Sequence, residues 1–351
     1  MRAIAGAQEF SLILDENSTV KKFGTFFLQQ NQIQTPGQTP IQSVSCGTSH
    51  AMMLDTEGSV WGLGSNDNCK LGLPLHEGKI HNIPTQLPNL PEIQAISCSA
   101  YAQSLLLDVN GTVWGCGSSS FGQLGSKSGA QNMARIEGLP RIEAIAAGFY
   151  HSLLLDERGS VWALGYNGNG EIGVGNSFSD ISTPQKLEVL PTIHSISTSY
   201  VHSMFLDTNG VIWGCGRNSG GELGIPIGTG NSIFTPEKTL NIPAVQSVAT
   251  GFYHSCFLDY EGEVWCCGKW DGKANLPQKL PTEQPIHTIY AGPTSAYLQG
   301  EEGLWVCGSN EQGKLGVESK DVVKSPTLVP SLKVMDTRRR YTTKSARNVV
   351  Q

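Results

Sequence analysis

One phrase recurs along this chain and limits what it can fold into. Residues 148–173 read GFYHSLLLDERGSVWALGYNGNGEIG, and residues 251–268 read GFYHSCFLDYEGEVWCCG. Such a repeat is either a duplicated catalytic motif or a structural unit, so the period is sought first. The Asp that closes each apolar run recurs at Asp15, Asp55, Asp108, Asp156, Asp207 and Asp259, with Gln299 in the seventh place. The spacings are 40, 53, 48, 51, 52 and 40 residues. Six residues after the marker stands Trp61, Trp114, Trp162, Trp213, Trp265 or Trp305, and Lys21 takes that place in the first copy. Three residues further stands a Gly in all seven copies, from Gly24 to Gly308.

The common pattern is I-x-x-I-x-x-G-x-x-H-S-x-x-L-D-x-x-G-x-V-W-x-x-G-x-N-x-x-G-x-L-G, a variable stretch, then T-P-x-x-L. HSLLLD is a short, nearly continuous apolar run, as a strand covered on both faces would be. D-x-x-G predicts a hairpin, since Asp bonds turn backbone and Gly accepts positive φ. V-W-x-x-G is rich in strand formers. Seven units of about four strands each predict an all-β, seven-bladed propeller of antiparallel blades, closed where the chain termini meet. The expected boundaries are 1–335 for the propeller and 336–351 for a basic, disordered tail. SPTLVPSLKV is expected to complete the last blade beside the N-terminal RAIAG.

Composition agrees: hydrophobic residues are 39% and charged residues 15%, with 41 Gly and 18 Pro for turns. The net charge of −6 does not suit a nucleic-acid binder. It divides unevenly, with +4 in 336–351 and −10 before it. No run approaches the about eighteen apolar residues of a membrane helix, so no membrane partner is expected. The N-terminal stretch lacks signal-peptide features, which predicts an intracellular protein, cytoplasmic or nuclear, in a reducing compartment.

His50, His151, His202 and His254 share one repeat position, where other copies have Gln103, Phe10 and, nearby, Ser295. They are read as structural, fixing each turn, because blade symmetry keeps them too far apart for metal binding or shared acid–base work. The tryptophans are read as blade packing. Cys116, Cys215, Cys267 and Cys307 precede the repeat Gly, Cys46 and Cys98 precede the G-x-x-H turn, and Cys256 lies in an apolar run. Cysteine is read here as a small buried hydrophobe rather than a disulfide framework. With no C-x-x-C, P-loop, G-x-S-x-G or H-E-x-x-H, neither metal, cofactor nor enzymatic activity is expected.

Laid out this way, GFYHSLLLDERGSVWALGYNGNGEIG and YVHSMFLDTNGVIWGCGRNSGGELG resemble the repeat of the regulator of chromosome condensation family. The resemblance covers about 1–330 and implies a seven-bladed disc that binds other proteins. The founding member exchanges nucleotide on the small GTPase Ran and binds chromatin. Relatives include a plant UV-B photoreceptor, a β-lactamase inhibitor and large ubiquitin ligases, so fold alone does not choose a function. The founding member's inserted β-wedge has no counterpart in spacings that stop at 53 residues. The turns read GFYH without the photoreceptor's Trp.

Turns of a meander blade alternate between the faces of the disc. G-x-x-H and G-x-N-x-x-G should share one face and D-x-x-G the other, with loops 174–183 and 225–235 rimming the first. The variable positions of G-x-x-H then place Tyr101, Phe149, Tyr150, Tyr200, Phe252 and Tyr253 on equivalent turns of four consecutive blades. Tyrosine is favoured at interface hot spots, so this arc is the expected partner-binding face; the alternative is rings packed over the channel. The expected function is a monomeric protein-interaction propeller for a partner such as a small GTPase or its machinery. The alternative is a guanine-nucleotide exchange factor. The tail suggests nucleic acid or chromatin only weakly.

Overall fold

The computed structural model describes residues 3–25, 31–74, 76, 78–127, 130–175, 179–226, 231–270, 273–319 and 322–332. The 336–351 tail lies outside the described residues. Among those described, the chain forms seven antiparallel sheets of four strands, each a contiguous stretch of sequence. The innermost strands touch in chain order and the last touches the first, which closes the ring of a seven-bladed propeller.

The fourth blade shows how the repeat builds a sheet. Ile142–Ala147 lies innermost, then His151–Asp156, Val161–Gly165 and, outermost, Ile181–Lys186. His151–Asp156 is buried throughout because its side chains go alternately to opposite neighbours. Leu153 and Leu155 pack with Ile193, Ile196 and Phe205 of the fifth blade. Leu154 packs with Leu105 and Leu107 of the third. Each such leucine contributes roughly 1.5–3 kcal/mol on burial, and blade-to-blade packing repeated seven times is the core.

The repeat Gly is set by register. Gly165 pairs with His151 at φ 116°, and a Cβ there would strike the Tyr150 carbonyl oxygen. The marker Asp closes the hairpin: Asp156 Oδ1 accepts the N–H groups of Arg158 and Ser160 at 2.9 and 2.8 Å. Its other oxygen accepts the Trp162 indole N–H at 3.1 Å. The same indole bond forms from Trp61, Trp114, Trp213 and Trp265, at 2.9–3.2 Å. This explains the six-residue interval. In the first blade Lys21 answers Asp15 instead, at 3.5 Å.

Two details differ from the sequence expectation. In the seventh blade Ile286 pairs with Gly300, as Ile142 pairs with Asp156 in the fourth. Gly300, not Gln299, therefore takes the marker place, because this hairpin is one residue shorter. Trp305 accordingly has no hydrogen-bond partner for its indole N–H. The second concerns the termini. Val322–Leu328 completes the last blade by pairing with Gly303–Ser309. Ala3–Gly6 pairs with Phe10–Leu14 in the first blade, so the two ends do not share a sheet. The end blades join by packing: Ile4 and Ile13 meet Tyr297, Leu304, Val306 and Leu332. Ser11 Oγ also donates to the Lys314 carbonyl at 2.6 Å.

Most cysteines sit in the core as expected, but Cys256 and Cys266 face one another across adjacent strands as a disulfide. Their adjacency follows from the register between His254–Asp259 and Val264–Gly268, which the linear sequence does not display.

Candidate protein-binding face

The innermost strand of each blade runs up to the G-x-x-H turn, so these turns gather on one face and the D-x-x-G hairpins on the other. Gly148 N–H donates to the His151 carbonyl at 2.8 Å, and Gly47 and Gly251 repeat the bond. The His ring lies over this Gly, where a Cβ would collide with the imidazole. That is why the motif begins with Gly.

The histidines join neighbouring blades. His50, His151 and His202 place Nε2 at 3.1, 3.0 and 3.0 Å from Ser104, Ser203 and Ser255 of the next blade. Each of these Ser hydroxyls donates to a carbonyl of the preceding blade's G-x-L-G loop, Lys70, Glu171 or Glu222, at 2.7 Å. The Ser proton is thereby committed, so Nε2–H is the donor. Gln103 replaces His in the third blade and donates to the Gly148 and His151 carbonyls at 3.2 and 2.9 Å. Where the seventh blade has Ala296 for Ser, His254 Nε2 has no partner. Burial holds these imidazoles neutral, lowering His50, His151 and His202 from 6.5 to about 3 and His254 to about 4.

The N-x-x-G-x-L-G loop is folded by its Asn. Asn218 Oδ1 accepts from Leu223 N–H at 3.2 Å and its amide donates to the Ile225 carbonyl at 3.1 Å. Asn66 and Asn310 do the same. The next loops brace one another, since Gly175 N–H donates to the Phe234 carbonyl.

On this scaffold the six aromatic turn residues meet. Tyr101 stacks on Phe149 with centroids 5.0 Å apart, Phe149 meets Tyr200 at 4.5 Å, and Tyr200 meets Phe252 at 5.3 Å. Tyr150 and Tyr253 flank the row, at 4.5 Å from Phe149 and 5.5 Å from Tyr200. Tyr101 is 43% exposed and the other five are half-buried. The rings pack on one another and still present their outer edges to solvent. Phe252 also reaches the mouth of the central channel, a cavity of about 90 Å³ lined by innermost strands.

Sequence reasoning missed two members. Phe121 lies 4.7 Å from Tyr150 and 5.1 Å from Tyr166. Both come from the G-x-N-x-x-G loop, so the shared face of the two turns was the available signal. Arg217 lies over Tyr253 at 5.2 Å and pairs with buried Glu222 at 3.5 Å. Burial raises the Glu222 and Glu171 carboxyls, and it lowers the Lys314 ammonium to about 8. Lys314 donates to the Gln8 carbonyl and the Thr294 hydroxyl, both at 2.9 Å. These buried charges brace turns rather than face a ligand.

The sequence profile of the RCC1-like domain matches residues 28–346. The chain belongs to the RCC1-like domain family. It is 30% identical over 315 residues to the RCC1 domain-containing protein RUG3, mitochondrial, of Arabidopsis thaliana, covering 81% of this chain and 70% of that one. It is 27% identical over 315 residues to the secretion-regulating guanine nucleotide exchange factor of Bos taurus, covering 83% of this chain and 57% of the relative. This chain thus spans little more than half of that exchange factor. The crystal structure of yeast RCC1 (Prp20) bound to Kap60 shares the fold at a TM-score of 0.74 and 21% identity, over 83% of this chain and 78% of that one. Among the described residues no helix is long and apolar enough to cross a membrane.

Proposed function

We propose that this RCC1-like propeller is a protein-interaction module whose aromatic arc docks a partner protein, a small GTPase or one of its regulators. The observation that carries it is the contiguous cluster from Tyr101 to Tyr253, held half-exposed on turns that the His–Ser bonds fix from beneath. Rings already braced by neighbours lose little freedom on binding. The GTPase class is supported by relatives whose names say guanine nucleotide exchange factor.

Alanine at Phe149, Tyr150, Phe252 and Tyr253 should abolish capture of a panel of immobilised small GTPases and leave the melting temperature nearly unchanged. A collapsed fold would mean that the rings serve packing. Release of fluorescent GDP from the same panel separates the two forms of this function. A binding module leaves the release rate unchanged, whereas an exchange factor accelerates it.

A further inference from the structure

The outermost strand of each blade leaves a row of backbone groups without a neighbour, and an open edge invites pairing with another chain. The T-P-x-x-L phrase shows how most blades prevent it. Leu87 N–H donates to the Val60 carbonyl, and Leu187, Thr239, Leu280 and Val329 repeat the bond to Val161, Ile212, Val264 and Leu304. Backbone groups of successive residues alternate in direction along a strand, so the residue three before each of these faces outward. That residue is Pro84, Pro184, Pro236, Pro277 or Pro326, which has no N–H to offer. The first blade is blunted differently, since its outermost strand, Gln32–Ile33, is two residues long.

The third blade has neither device. Ile136 N–H donates to the Val113 carbonyl at 2.9 Å, which puts Met133 at the position of the prolines. Packing shows the same equivalence. A Cβ on Gly173 would meet the Pro236 ring at 3.1 Å and one on Gly224 the Pro277 ring at 2.9 Å, as one on Gly72 would meet the Met133 methyl at 3.0 Å. The strand Ala130–Arg135 is six residues long, and among the described residues no strand pairs with its outer side. Met133 and Arg135 each turn both N–H and C=O outward, with about 6.8 Å between the two residues. Arg135 is answered by Glu137 at 3.6 Å, and Ala134 between the two outward residues is exposed.

We propose that this edge pairs with the same edge of a second copy, antiparallel about a two-fold axis, so that two blades join into one continuous sheet. Met133 of one copy opposes Arg135 of the other, and each such pair exchanges both N–H···O bonds. The edge is its own complement in this register, which is what a two-fold interface requires. Ala134 faces its counterpart on the axis, where opposing Cα atoms lie about 4.5 Å apart and a small side chain lets the backbones approach. One strand against one is small beside the about 1,200–2,000 Å² of a stable interface, so the dimer is weak, with a dissociation constant on the order of 0.1 mM. This departs from the monomer expected from the sequence, and it does not rest on the aromatic arc.

The test is sedimentation velocity on the full chain from about 5 to about 500 µM, spanning that dissociation constant. Wild type should pass from monomer to dimer. Met133→Pro installs the residue that five other blades carry at this place, and should weaken association at least about tenfold with the melting temperature nearly unchanged. Ala134→Lys sets two ammonium groups face to face on the axis without touching the core, and should weaken it likewise. Association should hold or tighten at about 0.5 M NaCl, because each copy carries a net charge of −6 and the repulsion is screened. A wild type that stays monomeric throughout would overturn the proposal and leave the edge to a strand of another protein. Association equally strong in both variants, or lost in high salt, would overturn it too.

Discussion

The four buried histidines make a sharp prediction about acid. Each is fully enclosed, and burial lowers its pKa from 6.5 to about 3, or about 4 for His254. Unfolding returns each imidazole to water, where it takes up a proton below about pH 6.5. The unfolded chain therefore binds more protons, and stability falls with falling pH. The contribution is complete above 6.5 and is lost as pH drops toward the folded value. At pH 5.5 one such histidine has forfeited about 1.4 kcal/mol, and four about 6 kcal/mol. Typical total stability is roughly 5–15 kcal/mol, so this loss takes much of it. The raised carboxyls of Glu171 and Glu222 act with the opposite sign, favouring the fold as they protonate. A comparison of variant with wild type cancels that contribution, because both carry the same carboxyls.

The third blade supplies the control. Gln103 does the work of the histidine without titrating, through the Gly148 and His151 carbonyls. The equivalent carbonyls for position 202 are those of Gly251 and His254, so His202→Gln replaces one titrating bridge by a neutral one. Urea unfolding followed by Trp fluorescence at pH 7.5 and 5.5 should show the variant gaining about 1.4 kcal/mol on wild type between the two. A variant that follows wild type at both pH values would refute the claim that these rings are held neutral.

Asp259→Asn removes the charge that accepts two turn N–H groups and the Trp265 indole, and should cost about 2 kcal/mol in urea unfolding. Trp265→Phe strands that carboxylate, whereas Trp305 has no such partner to lose. Trp265→Phe should therefore cost about 1 kcal/mol more than Trp305→Phe by the same measurement. Gly165→Ala combines a φ of 116° with a collision at the Tyr150 carbonyl, and should cost more than about 1 kcal/mol. Gly138→Ala shares positive φ, at 79°, but meets no atom, so its smaller cost isolates the strain component.

What was legible in the sequence follows from what a repeat encodes. Seven recurrences of one phrase fix strand count, turn type and the face on which each turn lies. Tyr101 and Phe252 could thus be assigned to one rim from position alone, and their ring contacts run through Phe149 and Tyr200. The repeat does not encode contacts between copies. The His202–Ser255 bond joins residues 53 apart, and no local pattern announces it, although HS stands side by side in each copy. Counting also fails where a copy changes length. Gln299 keeps the six-residue interval to Trp305, yet a hairpin shortened by one residue moves Gly300 into the Asp place. A fixed interval records a bond only while the loop between its ends keeps its geometry. In the six other copies the interval survives because the Asp holds an indole or, in the first, Lys21. In the seventh that bond is gone, and the interval that remains is incidental.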